Sequence, residues 1–352
     1  MSNKAGVRCL VTGGSGFLGI NLLRFLMARQ PSWQLRSLDL QPLDAQEARA
    51  IESVNGDIRD AAVVERCMAG ISHVVHCAAA LPLASPAEIE STDVEGSRLL
   101  LDAALRHGVA RFVFISSTSV YGIPDHHPID EEDGLRGVGP YARAKIAAER
   151  LCADYRERGL CVSILRPKTF VGPERLGAFG LLYDWAYSGH GFVLLGTGAN
   201  RYQLLDVADL CEVILLCLRS EAAQANVCLN VGAQEFGTMR ENFQAVLDHA
   251  GHGRRLMTLP AGPAIALLRL LAWLGLSPLH RWIYETADRD SVVSIRRLQA
   301  CFGFTPRYSN VQALLRNYDW YAQHRPEFAG HYGLTHRLPW RPGLLSLSKL
   351  FL

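Results

Sequence analysis

The sequence predicts an α/β fold: a doubly wound parallel sheet with a smaller C-terminal lobe interwoven with it. Three observations carry this. Short, nearly continuous apolar runs alternate with helical patterns over the first half of the chain. A glycine-rich turn joins the first apolar run to the first helical one. The rhythm then breaks after Pro167. Parallel strands buried on both faces read as unbroken apolar runs, and their crossovers are helices.

Taken in order, strands are expected at Val7–Val11, Leu35–Leu38, Ile51–Asn55, Val74–Cys77, Phe112–Ile115 and Val162–Leu165. Helices are expected at Leu18–Ala28, Ala61–Met68, Ser97–Arg106 and Ala142–Arg156. Beyond Pro167 strand and helix signals mix, with glycine joints at Gly196–Gly198 and Gly232–Gly237. The expected division is therefore 1–167 for the first domain, 168–325 mainly for a substrate lobe, and 326–352 for a tail. At 352 residues and 49% hydrophobic content, the chain can build a large core.

Composition narrows the function. Thirty-six basic and 34 acidic residues leave a net charge of +2, too little for a nucleic-acid surface. The nine cysteines are scattered and form no C-x-x-C pair, which reads as reduced thiols in a cytoplasmic protein. Nothing ahead of Val7 resembles a signal peptide. Ala261–Leu279 is apolar but interrupted by Pro263, Arg269, Gly275 and Pro278, short of the ~20 apolar residues of a spanning helix. It and Leu344–Leu352 are expected to pack on the protein, with peripheral membrane contact as the alternative. His126 and His127 lack further ligands, so no metal is expected. Glu131-Glu132-Asp133 reads as a solvated turn, and Arg166 as a buried anchor between the lobes.

The run Val7–Val11 leads into Thr12-Gly13-Gly14-Ser15-Gly16-Phe17-Leu18-Gly19 and then a helix. The glycines at 13, 16 and 19 permit a tight turn, close approach of a pyrophosphate and close helix–strand packing. The helix N-terminus offers N–H groups to phosphates. Asp39 follows Gly19 by 20 residues, at the end of the next strand, where it would accept hydrogen bonds from ribose hydroxyls. This is a Rossmann-type dinucleotide site. A carboxylate at Asp39 repels a 2′-phosphate, and Arg36 lies within the strand, so NAD is expected over NADP.

Tyr141 and Lys145, four apart on a helix opened by Pro140, share one face. A tyrosine ionises near pH 10, and a neighbouring ammonium lowers that value. Upstream, Phe112–Ile115 ends in Ser116-Ser117-Thr118-Ser119-Val120-Tyr121-Gly122, hydroxyls at the carboxyl edge of a sheet, where such folds bind ligands.

Thr12–Gly19, Gly56-Asp57-Ile58, Cys77-Ala78-Ala79, Ser116–Gly122 and Tyr141–Lys145 together resemble the extended short-chain dehydrogenase/reductase family, in its NAD-dependent epimerase/dehydratase and 3β-hydroxysteroid dehydrogenase branch. Leu165-Arg166-Pro167, Val171-Gly172-Pro173 and the ending Cys301-Phe302-Gly303-Phe304-Thr305-Pro306 also fit, and the likeness spans roughly residues 6 to 322. The resemblance implies catalysis by Tyr141 as acid/base, Lys145 as its electrostatic partner and Ser117 as the hydroxyl that holds the substrate oxygen. It implies cofactor contacts from Gly13, Gly16, Phe17, Leu18, Gly19, Asp39, Asp57, Ile58, Ala78, Ala79, Tyr141 and Lys145. The reaction implied is NAD(P)-dependent oxidation or reduction of a secondary alcohol or ketone.

Three departures from the sugar-nucleotide members bear on the substrate. Thr169 stands where those enzymes carry an Asn that contacts the diphosphate. Tyr202 stands at the place of a diphosphate-binding Arg, with Arg201 one position off. Thr118-Ser119 replace the Asp-Glu pair of the 4,6-dehydratases. These departures favour a lipophilic 3β-hydroxysteroid or sterol-like alcohol, whose oxidation can labilise a neighbouring 4-carboxylate. The alternatives are a nucleotide-sugar 4-epimerase and, from another class, a non-catalytic NAD-binding regulator. The partner expected is a small molecule, and a homodimer is compatible with the reading.

Overall fold

The computed structural model describes residues 6–273, 288–328 and 337. Their contacts divide into two compact units. The first comprises residues 1–168 together with Val207–Val231 and Val293–Thr305. The second comprises Thr169–Asp206, Gly232–Val292 and the chain from Pro306 onward. Two later segments thus return to the first unit.

The first unit is built on a seven-stranded parallel sheet. Its strands are β1 (Arg8–Thr12), β2 (Gln34–Asp39), β3 (Glu52–Asn55), β4 (His73–His76), β5 (Arg111–Ile115), β6 (Val162–Pro167) and, from the later segment, β10 (Cys228–Val231). The spatial order is β10-β6-β5-β4-β1-β2-β3, with every neighbouring pair parallel. Order reverses between β1 and β4, so their carboxyl ends flank the crevice in which such sheets bind ligands.

Helices α2 (Ala61–Met68), α4 (Ser97–Arg106) and α5 (Gly139–Glu157) pack one face through Met68, Leu100, Leu101, Ala148 and Cys152 against Leu10, Val74, Phe112 and Phe114. On the sheet's other helical layer, α1 (Phe17–Arg29) packs against α7 (Val207–Arg219). Between α3 (Pro86–Ile89) and α4, Glu90–Gly96 winds as a π-helical turn. Such turns interrupt regular helices frequently at functional sites.

β10 has four residues, Cys-Leu-Asn-Val, too few for a pattern to stand out of the mixed region. Its Asn230 is buried, and its backbone N–H donates to Glu131 Oε1 at 2.6 Å. Glu131 is therefore no solvated turn residue: its side chain is fully buried, and burial, the largest cause, pushes its carboxyl up. Arg166 is likewise corrected. It grips Glu149 through Nε and Nη2, and reaches Tyr121 Oη at 2.9 Å and the Glu131 carbonyl at 3.1 Å, all within the first unit.

The second unit holds two parallel two-stranded pairings. β7 (Phe170–Val171) pairs with β9 (Leu205–Asp206), and β8 (Phe192–Leu195) with β11 (Leu256–Leu259). Helices α6 (Phe179–Tyr187), α9 (Met239–His249) and a late α12 (Asn310–His324) enclose Tyr183, Leu194, Val246, Leu314, Tyr318 and Tyr321. Capping boxes start α9 (Thr238 with Glu241) and α12 (Ser309 with Gln312), satisfying first-turn N–H groups reciprocally. The apolar segment begins as helix α10 (Ala261–Trp273), and its remainder to Leu279 lies outside the described residues, as does Leu344–Leu352. Among the described residues no helix is long and apolar enough to cross a membrane.

Candidate active site

The glycine turn forms at the carboxyl end of β1. Gly13 adopts φ +70°, and a Cβ there would lie 2.7 Å from the Ala78 backbone nitrogen. A Cβ on Gly19 would lie 2.0 Å from the Gly13 carbonyl oxygen, so the helix sits on the turn at a distance only glycine allows. Gly16 caps α1 without a side-chain hydrogen bond, the arrangement that presents a helix N-terminus to phosphate. Phe17 and Leu18 are buried, at 3% and 7% exposure, so they serve this turn through their backbone.

Asp39 ends β2. Its carboxylate accepts the Ser15 N–H at 3.0 Å and the Gln41 N–H at 2.9 Å, which fixes it beside the turn. Arg36 points elsewhere, to Glu52 at 2.8 Å and the Cys67 carbonyl at 2.6 Å. Asp57 follows β3 and is paired with Arg59 at 2.6 Å, whose hydrogen bond holds the carboxyl below the usual range. Ile58 is buried against Gly96. Ala78 and Ala79 follow β4, with Ala79 exposed and the Ala78 N–H donated to Thr12 Oγ1 at 3.3 Å. A narrow glycine turn, an uncapped helix start and a fixed carboxylate suit a dinucleotide with free ribose hydroxyls.

Ser117 follows β5, and Tyr141 and Lys145 lie on α5, which packs against the turn that Ser117 caps. Ser117 leaves β5 and caps a 3-10 turn, Thr118–Tyr121, its Oγ accepting the Ser119 N–H at 3.1 Å. Ser116 is buried instead and donates to Glu149, which occupies its hydroxyl. Tyr141 lies in the first turn of α5, with Pro140 ahead of it at a position where a missing N–H costs nothing. One turn on, Lys145 Nζ lies 5.6 Å from the Tyr141 ring centroid and 5.2 Å from that of Phe114.

Lys145 is 3% exposed, and its ammonium meets Asp93 Oδ1 at 2.8 Å. Burial, the largest influence, pushes the lysine down, but Asp93 and Tyr141 together leave it raised. Asp93 was not among the residues read from the sequence. It sits between Glu90 and Glu95, 52 residues before Lys145, and no periodicity links it to the lysine. Only the π-helical turn brings it under α5.

A buried chain of hydroxyls and imidazole runs behind the site. Thr12 Oγ1 meets His76 Nδ1 at 2.8 Å, His76 Nε2 meets Ser97 Oγ at 2.9 Å, and Ser97 donates to the Asp93 carbonyl at 2.6 Å. It ties the end of β1 to the turn that carries Asp93. In the second unit, Tyr202 and Thr169 meet through their hydroxyls at 3.3 Å, while Arg201 turns to Asp290 at 3.0 Å. The exposed His126 pairs with Asp133, and the described residues contain no cluster able to hold a metal.

The family model for the NAD-dependent epimerase/dehydratase family matches residues 9–232. An uncharacterized protein of Sinorhizobium fredii, y4nG, is 35% identical, with 96% of this chain and 84% of that protein covered. A dTDP-glucose 4,6-dehydratase of Streptomyces antibioticus is 29% identical over 90% of this chain and 92% of its own. A 3β-hydroxysteroid dehydrogenase/Δ5→4-isomerase of Mycobacterium tuberculosis is 28% identical over 87% and 88%. Among solved structures, a UDP-glucose 4-epimerase from Thermotoga maritima superposes with a TM-score of 0.76 at 21% identity, covering 91% of this chain and all of that one. The sheet order, the glycine turn and these matches agree: the chain belongs to the NAD-dependent epimerase/dehydratase family and is an NAD-dependent enzyme of the short-chain dehydrogenase/reductase type.

Proposed function

We propose that the protein oxidises or reduces a secondary alcohol carbon of a lipophilic, 3β-hydroxysteroid-like substrate. The observation that carries the substrate class is the Thr169–Tyr202 hydroxyl contact, with Arg201 engaged by Asp290. At the two positions where the resemblance puts diphosphate contacts, this chain has neutral hydroxyls. At those two positions a diphosphate would meet hydroxyls in place of an amide and a guanidinium, which hold such a charge less well. The Mycobacterium relative is named for this class of reaction. Peripheral membrane contact belongs to the same reading, with Met257, Leu259 and Leu270 exposed on β11 and α10.

In this mechanism Ser117 hydrogen-bonds the substrate oxygen, and Tyr141 takes the hydroxyl proton during oxidation or returns it during reduction. Lys145 stabilises the phenolate, and Asp39 holds the adenosine ribose. Bound NAD supplies the hydride acceptor or donor. A second reading, a nucleotide-sugar 4-epimerase, is favoured by the sugar-nucleotide relatives and requires the same proton and hydride steps in both directions. Dehydration is disfavoured, because Thr118 and Ser119 offer no carboxylate pair for it.

Steady-state turnover with NAD on a 3β-hydroxysterol panel and a UDP- and dTDP-hexose panel decides between them. Sterols are expected to reduce NAD while the sugars stay inert, and Tyr141→Phe is expected to cut turnover by about 10²- to 10⁴-fold with NAD binding retained. Conversion of a nucleotide hexose with every lipid inert would establish the epimerase instead.

A further inference from the structure

Lys145 is held by a carboxylate as buried as itself. The Asp93 side chain is fully buried, and its Oδ1 lies 2.8 Å from Lys145 Nζ. It is also fixed in place: Oδ2 accepts the Ala80 N–H at 3.0 Å, and its carbonyl accepts from Ser97. The same ammonium lies 5.6 Å from the Tyr141 ring centroid. A cation near a phenol favours the phenolate, and an anion held against that cation opposes it.

We propose that Asp93 is a positioning residue for Lys145 that sets the pH at which Tyr141 loses its proton. By balancing the ammonium, it keeps Tyr141 in its proton-donating form to a higher pH than the lysine alone would allow. This rests on the reading of Tyr141 as the acid/base.

The other titratable groups facing this pair do not compete. From β4, His76 is pushed down to about 3 by its burial and then by Lys145. Cys77, just beyond β4, and Cys152, on α5, have thiols that burial pushes up. All three are neutral across the neutral range. Asp93 and Tyr141 remain as the groups able to carry negative charge beside Lys145 among these. When a negative charge is removed from a coupled set, the first deprotonation of the rest moves to lower pH. A purely structural role for Asp93 would not move that titration.

The test uses the enzyme without substrate. Tyrosinate difference absorbance is followed against pH, and the matching Tyr141→Phe variant is subtracted to isolate one residue. Asp93→Asn keeps an oxygen for the Ala80 N–H and removes the charge. Its Tyr141 midpoint is expected to fall by about 1 pH unit or more, while Asp93→Glu stays near wild type. A midpoint that is unmoved or raised in Asp93→Asn, or an equal fall in Asp93→Glu, overturns the proposal. Should Asp93→Asn fail to fold, the double variant Asp93→Asn/Lys145→Met removes both charges. It is expected to keep the midpoint within about 1 unit of wild type, whereas a larger rise would mean the lysine acts unopposed and would overturn the assignment. No substrate enters the titration, so its failure is separable from failure of the turnover panels.

Discussion

His76 shows how the residue scale fixes chemistry behind the site. Ser97 gives its hydroxyl proton to the Asp93 carbonyl, so it accepts from His76 Nε2–H. Nδ1 then accepts from Thr12, and the imidazole is neutral with one tautomer. Burial pushes its ionisation down to about 3, against an ordinary value of 6.5. Between those values the unfolded chain binds the proton and the folded one does not. Stability therefore rises with pH across that window and falls as pH drops from about 6.5 toward 3. His76→Gln removes this titration. Between pH 7 and pH 5 the wild-type protein is expected to lose about 2 kcal/mol more unfolding free energy than the variant, measured by denaturant titration. Equal losses would place the acid sensitivity elsewhere.

At the scale of elements, the glycine turn depends on a distance that can be tested directly. A Cβ at position 19 would sit 2.0 Å from the Gly13 oxygen, so Gly19→Ala must push α1 off the turn. Strain of this kind costs about 1–3 kcal/mol, and calorimetry is expected to show weakened NAD binding together with a lowered melting temperature. Wild-type affinity in a stable Gly19→Ala protein would show that the close packing is dispensable. This turn was legible in the sequence because its three glycines are local and each answers a backbone need. So were β1 to β6 and the helices between them, whose apolar periods are set by burial on the sheet. Glu131, β10 and Asp93 were not. Each is fixed by a partner far along the chain: Glu131 by Asn230, β10 by β6, Asp93 by Lys145. A carboxylate buried by such a partner carries the same local pattern as one facing water. The Arg166 reading failed for a related reason, since a buried arginine's partners cannot be ranked by proximity in sequence.

At the scale of the whole molecule, the exposed Met257, Leu259 and Leu270 make lipid contact a testable property. If this surface is interfacial, the protein sediments with liposomes through burial of these side chains; complete recovery in the supernatant, with and without anionic lipid, would return the segment to the protein's own packing. The interleaving of the first unit bears on how the chain is made. β6 ends at Pro167, but β10, which pairs with it, ends at Val231. On the ribosome, at roughly 5–20 residues per second, the sheet waits on the order of 3–13 s with the outer edge of Val162–Pro167 unpaired. An unpaired apolar edge is a template for another strand. Nascent chains halted before Val231 would therefore present that rim to their neighbours on the same polysome, and chaperone dependence during synthesis would be concentrated in that interval.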